Sequence, residues 1–221
     1  MRWIETAIFT LALAIAGLVV AAAQWSGEEP YRDLARDNGV LEYEFSLRPP
    51  LSRQVMDLNG GVILHGQWSR YVTGASAQPP RPDPPLFDDD EYAHMADVRR
   101  VFEVAKLAVP VALFVMVIRL QRARLRGGRA TWELVRDSGV AAAIVVAVIG
   151  VVSVVAFEPL FLAFHYLFFP QGNFLFPPTS NLIRLYPDWY WEGISLRVGL
   201  SFIAFALALA GAAQLRLRAA K

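Results

Sequence analysis

The sequence predicts an all-α membrane protein with four transmembrane helices and a small α+β cap on the extracytoplasmic side. Two observations support this fold class. Of the 221 residues, 55% are hydrophobic, and the mean hydropathy is +0.37. The apolar residues also form long blocks instead of recurring at the period of a soluble amphipathic helix. A block of about 20 apolar residues is long enough to cross a hydrocarbon core of about 30 Å, so each block is a candidate span.

Three blocks have no charged residue over about the length of a span: 7–23, 139–157 and 198–214. The block 107–118 is shorter, and it reaches span length as a helix over 101–120 in which Glu103 and Lys106 extend to the interface. The predicted transmembrane segments are therefore 1–25, 101–120, 139–165 and 196–215. The intervening and terminal segments are an extracytoplasmic cap at 26–100, a basic cytoplasmic loop at 121–138, an extracytoplasmic loop at 166–195 and a cytoplasmic tail at 216–221.

The orientation follows from the arginines, because Lys and Arg in short loops next to spans are retained in the cytoplasm. The loop at 121–138 and the tail at 216–221 are both basic. We therefore expect a multi-pass membrane protein with its cap outside. The net charge of +1 gives no indication of nucleic-acid binding.

The N-terminus permits a second interpretation, a cleaved signal peptide. Arg2, the apolar run and the three alanines at 21–23 resemble the three regions of such a peptide. Glu5 and the length of the run favour an uncleaved anchor. Cleavage would leave three spans and the same outward face.

The chain contains no cysteine. This excludes disulfides, thiolate metal sites and a cysteine nucleophile. Glycine-rich phosphate loops, a His-Glu-x-x-His pair and a Gly-x-Ser-x-Gly elbow are also absent from the sequence. The sequence predicts no cofactor.

The first extracytoplasmic segment contains signals for local structure. Four apolar residues alternate with polar ones, as in a strand with one buried face: Leu41, Tyr43, Phe45 and Leu47. A helix is then predicted from Ser52, with Val55, Leu58 and Val62 on one side. Five prolines between 79 and 85 predict a stiff, extended loop over the site.

A first histidine segment precedes the second span. Asp88, Asp89 and Asp90 favour a helix start, because they cap it and complement its dipole. Glu91 and Asp97 then lie near the same face as His94, where a carboxylate can hold an imidazole in one tautomer. The alternative is a solvated helix end on which His94 is a surface residue.

A second histidine segment follows the third span. If the helix continues past Pro159, Glu158 and His165 share a face. Phenylalanines surround them, and an aromatic belt at the membrane interface explains most of these rings equally well. His65 is interpreted as a surface or packing residue in a loop.

Two histidines that converge at the outer interface leave three classes of function open. The first is acid-base chemistry on a lipid ester. The second is a metal site completed by Glu91, Asp97 or Glu158, as in a metal-dependent lipid esterase. The third is a lipid- or lipoprotein-binding protein without chemistry.

Both segments resemble motifs of the bacterial lipoprotein intramolecular transacylase family. Phe87, Glu91 and the run from His94 to Arg99 match Phe-Ser-x-x-Glu-x-x-His-Met-x-Asp-Val-Lys/Arg, and 164–169 (Phe-His-Tyr-Leu-Phe-Phe) is similar to the second motif. The likeness continues through 173–191. This chain departs from the family pattern at Asp88, Phe174, Pro177 and Asn181, which indicates a different substrate or a diverged branch.

The resemblance implies an enzyme that moves the sn-2 acyl chain of a diacylglyceryl lipoprotein onto the α-amino group of its N-terminal cysteine. The implied partners are diacylglyceryl lipoproteins and membrane lipid, with no metal, and the sequence indicates no oligomeric state. His94 is expected to deprotonate the amine and His165 to polarise the ester or protonate the leaving oxygen, although these roles are exchangeable. The resemblance further implies supporting roles for Glu91, Asp97 and Glu158, and substrate binding by Tyr166, Asn173 and Tyr186. An acyl-enzyme route would instead need Ser26, Ser46, Thr179 or Ser180 as nucleophile.

Overall fold

The computed structural model describes residues 2–47 and 53–219. Within these residues the chain forms eight α-helices and one two-stranded antiparallel sheet. In chain order the elements are α1 (Arg2–Trp25), α2 (Glu28–Asp37), β1 (Glu42–Ser46), β2 (Arg53–Asp57), α3 (Leu58–Val72), α4 (Asp89–Leu125), α5 (Gly128–Val155), α6 (Phe157–Phe168), α7 (Asn181–Leu185) and α8 (Asp188–Ala219).

Four of these helices, α1, α4, α5 and α8, are long and apolar enough to cross a membrane. This confirms the predicted fold class, and the chain is a multi-pass membrane protein. Its described residues divide into two compact units. Unit 1 comprises 2–22, 105–155 and 196–219, and unit 2 comprises the described parts of 23–104 together with 156–195.

The helix ends differ from the prediction at the basic loop. We expected a loop over 121–138, but α4 continues to Leu125 and α5 begins at Gly128. The reversal needs only Arg126 and Gly127. Gly127 has φ of +121°, a conformation that is accessible to glycine because it lacks a Cβ.

The prediction of one continuous helix over 139–165 is wrong. The helix α5 ends at Val155, Ala156 adopts φ −140° and ψ 52°, and α6 starts at Phe157. The physical cause is Pro159, since a proline ring inside a helix clashes with the carbonyl four residues earlier, here that of Val155. In the first turn of the new helix α6, the missing N–H of Pro159 costs nothing, because amides there have no partner within the helix.

The helices of unit 1 approach closely at small residues. A Cβ added to Gly17 would lie 2.6 Å from the Phe202 ring, and one added to Gly139 would lie 2.7 Å from the carbonyl oxygen of Ala206. Without a hydrophobic driving force between helices in lipid, such close packing is a main source of association. These glycines therefore hold α1 and α5 against α8.

Unit 2 contains the sheet and a mixed aromatic core. The strands β1 and β2 pair in antiparallel register with Tyr43 opposite Met56. As predicted from the alternation, Tyr43 and Phe45 are buried while their neighbours Glu42 and Glu44 are exposed. Leu41 departs from the pattern, because it precedes the strand and is exposed.

The helix predicted from Ser52 is corrected by the structure. Ser52 itself lies outside the described residues, and 53–57 form the strand β2. The following helix α3 is capped instead by Asp57, whose Oδ1 accepts a hydrogen bond from the Gly60 amide at 2.8 Å. Pairing of β2 with β1 outweighs the weak helical pattern of residues 53–57.

The proline-rich segment, expected to be a loop over the site, is held against the start of α4. The Tyr92 hydroxyl donates to the carbonyl of Pro80 at 2.8 Å, and the Arg81 guanidinium lies 4.0 Å from the Tyr92 ring centroid. Trp68, fully buried, packs against Phe87 and Tyr92 from the other side. These contacts fix where α4 begins.

Candidate functional site

A reciprocal cap starts the helix that carries the first histidine. The amide of Glu91 donates to Asp88 Oδ1 and the amide of Asp88 donates to Glu91 Oε2, both at 2.9 Å. This is a capping box with aspartate at the cap position. The second oxygen of Glu91 accepts bonds from the Ser180 hydroxyl and from the Leu182 amide, which joins the starts of α4 and α7. The buried Glu91 carboxylate thus bonds to helix starts rather than to His94.

His94 lies one turn further along α4 and is only 7% exposed. Its Nδ1 is buried and has no hydrogen-bond partner among the described residues. The ring packs against Phe169 at 4.9 Å and Phe176 at 5.5 Å between centroids. An unpaired polar atom buried among aromatic rings is costly unless a bound group completes it, so His94 marks a functional site.

His165, in α6, is also buried, at 8% exposure. Its Nδ1 lies 2.8 Å from the carbonyl oxygen of Phe161. A carbonyl only accepts, so Nδ1 carries the proton and Nε2 of the neutral ring keeps a lone pair.

The two predicted histidines come together within unit 2. Their ring centroids are 6.2 Å apart, and the ring planes are inclined by 21°. Phe169 contacts both rings, and Phe161 and Phe174 pack on His165. The pair therefore shares one apolar, aromatic surrounding.

This surrounding keeps both imidazoles neutral. His94 precedes the apolar part of α4, which begins after Arg100. Burial, reinforced by repulsion from a protonated His165, lowers the pKa of His94 to about 4, although Asp97 and Asn173 act in the opposite direction. Burial also lowers the pKa of His165, against the raising effect of the Phe161 carbonyl. Neutral imidazoles are the form that accepts a proton.

Asp97 organises the loop beside His94. Its Oδ2 accepts bonds from the side-chain amides of Asn173 at 2.6 Å and Gln171 at 2.8 Å, while Oδ1 pairs with Arg100. Asn173, expected to bind substrate, is thereby held between Asp97 and His94. Both Asp97, by its charge, and Asn173 raise the pKa of His94 against the effect of burial.

The three remaining predicted residues have different surroundings. Glu158 is exposed and makes no hydrogen bond or ion pair within the part of the chain that the structure describes. Tyr166 is exposed, with its ring against Phe174 at 5.0 Å. Tyr186 is buried, and its hydroxyl lies 3.2 Å from Nδ1 of His65.

The role of His65 could not be read from its spacing. It lies in the helix α3 rather than in a loop, and only 2% of it is exposed. Its Nε2 lies 3.2 Å from the Ser26 carbonyl oxygen and its ring stacks on Tyr31 at 4.2 Å. It is a packing residue, as one of the two interpretations held. Gln171 was missed, because no local pattern marks a single glutamine in a loop. Phe169 is one of the phenylalanines predicted to surround His165, and Phe176 lies in the segment of family likeness.

Within the described ranges, no group of three or more His, Asp or Glu side chains is arranged to hold a metal ion. Four spans and a buried pair of neutral histidines define a multi-pass membrane protein with a site suited to proton transfer.

A comparison with protein-family models shows the family to which the chain belongs. The model of the family described as lipoprotein intramolecular transacylase Lit matches residues 68–191, more than half of the chain and including both histidine segments. The chain belongs to this family and is an acyltransferase. No curated protein sequence matches the chain.

The fold is similar to solved structures of the membrane integral lipoprotein intramolecular transacylase Lit from Bacillus cereus. One has a TM-score of 0.69 at 15% identity, covering 98% of this chain and 95% of that one. A variant of the same protein in which a histidine is replaced by alanine has a TM-score of 0.68 at 13% identity, with 97% and 93% covered. At such identities the likeness concerns the shared fold.

Proposed function

We propose that this protein moves the sn-2 acyl chain of a diacylglyceryl lipoprotein onto the α-amino group of the same N-terminal cysteine, with the two histidines carrying the protons. The observation behind this proposal is the buried pair itself, His94 and His165 at 6.2 Å between ring centroids. Such a pair accepts and returns a proton without adding a fixed charge to an apolar site. The product is an N-acylated lipoprotein with one acyl chain left on its glycerol.

The proposed reaction needs no nucleophile from the enzyme. The amine nitrogen attacks the ester carbonyl carbon, an N–C bond forms, and the bond from that carbon to the sn-2 oxygen breaks. The α-ammonium group loses two protons in becoming an amide N–H. One goes to the solvent before the attack, and the other passes through the base to the departing oxygen. An α-amino group has a pKa near 8, so a base must help to free its lone pair near neutral pH.

The tautomer of His165 favours one of the two role assignments. With Nδ1–H donated to Phe161, Nε2 is the atom that takes the proton from the amine. His94 then polarises the ester or protonates the leaving oxygen. Repulsion between the two rings disfavours a positive charge on both at once, so the pair passes one proton at a time from one group of the substrate to the other.

The remaining predicted residues have positioning, substrate-binding or packing roles in this proposal. Asp97 positions His94 through Asn173, and Glu91 positions it by fixing the start of α4. Tyr166, exposed beside the site, is proposed to contact the acyl chains of the substrate. Tyr186 acts through packing, since its hydroxyl is engaged by His65. A role for Glu158 stays a prediction.

We propose that unit 2, which contains the site, faces the outside of the bacterial cell membrane. Basic residues cluster where α4 meets α5 and at the end of α8: Arg122, Arg124, Arg126, Arg129, Arg216 and Arg218. By the positive-inside rule these helix ends are cytoplasmic. Diacylglyceryl lipoproteins and membrane lipid are the proposed partners.

The test is tandem mass spectrometry of the N-terminal lipopeptide from a reporter lipoprotein, produced in a host with diacyl lipoproteins, with and without this protein. Because the acyl chain moves within one molecule, the intact mass stays constant. Fragmentation must therefore locate the chain on nitrogen. A mass lower by one acyl chain would instead identify a lipid esterase, and unchanged diacyl lipopeptide with folded protein would favour a binding role.

Single variants assign the histidines. We expect His94→Ala and His165→Ala each to lower the amount of N-acyl product by about 10² to 10⁴. His65→Phe removes the third histidine of the chain and serves as the matched control, with turnover retained. Turnover retained in both alanine variants would reject the assignment. An acyl group trapped on the protein itself would reject direct transfer.

A further inference from the structure

The helix α6 has an exposed face without charge. Between residues 159 and 169 the only polar side chains are those of His165 and Tyr166. His165 is buried, whereas the side chains on the exposed face are large and apolar. The most exposed of them is Leu167, at 73%, accompanied by Phe164 and Phe168.

Helical geometry places this face beside the catalytic one. Phe164, Leu167 and Phe168 are spaced i, i+3 and i+4, so they lie along one side of the helix. His165 is the next residue after Phe164 and is buried against Phe161 and Phe174, with the Phe164 ring 5.6 Å from its own at the edge of the stripe. One helix thus presents a histidine to the site and an uninterrupted apolar stripe to its surroundings.

Water is an unfavourable neighbour for such a stripe. A large apolar side chain left in water forgoes the free energy of burial, and contiguous exposed apolar patches mark binding surfaces. Lipid is the occupant that the chain itself indicates. The last turn of the span α5 exposes Val151, Val154 and Val155, and α6 begins only one residue later. Along the sequence, the exposed apolar residues at the end of a membrane span are thus followed, after Ala156 alone, by the apolar helix α6.

We propose that α6 is an interfacial membrane helix, with Phe164, Leu167 and Phe168 embedded among the acyl chains of the bilayer. Aromatic residues favour this depth, and the helix is too short to cross the bilayer. A consequence, which rests on the proposed function, is that His165 lies at the depth in the bilayer where the lipid ester lies. The acyl chain to be transferred then approaches His165 from the bilayer rather than from water.

The depth of α6 is measurable because the chain has no cysteine. Single variants Leu167→Cys, Val154→Cys and Glu42→Cys are labelled with a nitroxide in vesicles of phosphatidylcholine and phosphatidylglycerol. Val154 provides the lipid reference and the exposed, charged position Glu42 the aqueous one. Collisions with oxygen report lipid, and collisions with a water-soluble nickel chelate report water.

We expect the label at 167 to be reached by oxygen and shielded from nickel, as at 154. Nickel accessibility equal to that at 42 would overturn the proposal. The measurement uses no substrate, so its outcome is independent of whether transacylation is correct. The approach of the acyl chain from the bilayer is tested separately. Leu167→Asp should lower the rate on vesicle-embedded lipoprotein several-fold, and Leu167→Met should leave it unchanged. Equal rates for both variants would contradict this approach.

Discussion

Nδ1 of His165 donates a hydrogen bond to the carbonyl oxygen of Phe161, one helical turn earlier and 2.8 Å away. This bond connects the backbone of α6 to the chemistry of the site, because it decides which nitrogen of the ring is free to accept a proton. Both residues lie in α6, the helix that begins after Ala156.

The first prediction concerns that tautomer. In protein labelled with ¹⁵N-histidine at neutral pH, His165 should show a protonated Nδ1 and a bare Nε2. The assignment is made by comparison with the His165→Gln spectrum, from which the signal disappears. A resonance pattern with the proton on Nε2 would exclude Nε2 as the base that meets the amine.

The second prediction is the pH dependence of the reaction. The pKa of His94 is lowered to about 4, so this ring stays neutral as the pH falls through 6.5, and burial lowers the pKa of His165 in the same direction. The rate should therefore rise with pH towards about 8, following the substrate amine, without a further bend near 6.5. A profile of initial rates from pH 5 to 9 checks this, and a bend at 6.5 would show an ordinary histidine.

The third prediction concerns His65 and stability. Burial lowers the pKa of His65 to about 4. Between pH 6.5 and 4 this histidine is therefore protonated in the unfolded chain and neutral in the folded chain. Stability should fall as pH decreases from about 6.5 towards 4, by about 3 kcal/mol from this group. In His65→Phe, melting in detergent should depend less on pH and lie lower at pH 7.5, since Tyr186 loses its partner. An unchanged pH dependence would contradict this role.

The fourth prediction tests the positioning role of Asn173. In Asn173→Ala the link from Asp97 to His94 is lost, and we expect kcat to fall by about tenfold or more with a smaller change in KM. The pKa of His94 should fall further, because Asn173 raises it. Gln171→Ala, which removes the other amide on Asp97, is the control and should change kcat by less than about threefold. Equal effects of the two variants would indicate that the loop acts only as a unit.

The fifth prediction addresses unit 1. Gly17→Val places carbon atoms where the Phe202 ring lies and should lower the free energy of unfolding by about 1–3 kcal/mol. Gly211→Val, in α8, is the matched control because a Cβ at that position meets open space. Melting temperatures of the two variants in the same detergent compare them. A loss as large at Gly211 would show that the effect is helix propensity rather than packing.

The sequence by itself determined the features that depend on neighbours along the chain. Four apolar stretches predict four spans, because the thickness of a bilayer sets the length of a helix that crosses it. The alternation around Tyr43 and Phe45 predicts a half-buried strand for a similar reason, the two-residue period of the pleat. The motifs around His94 and His165 identified the family that the family model then matched.

The tertiary structure decided which of these residues meet. It brings the ring of His94 near that of His165, bonds Asn173 to Asp97, and places the Tyr186 hydroxyl beside His65. Such contacts join positions that are distant in sequence, and packing selects them among many alternatives with equal local patterns. A periodicity shows which face of a helix is apolar, whereas only the folded chain determines which residue that face contacts.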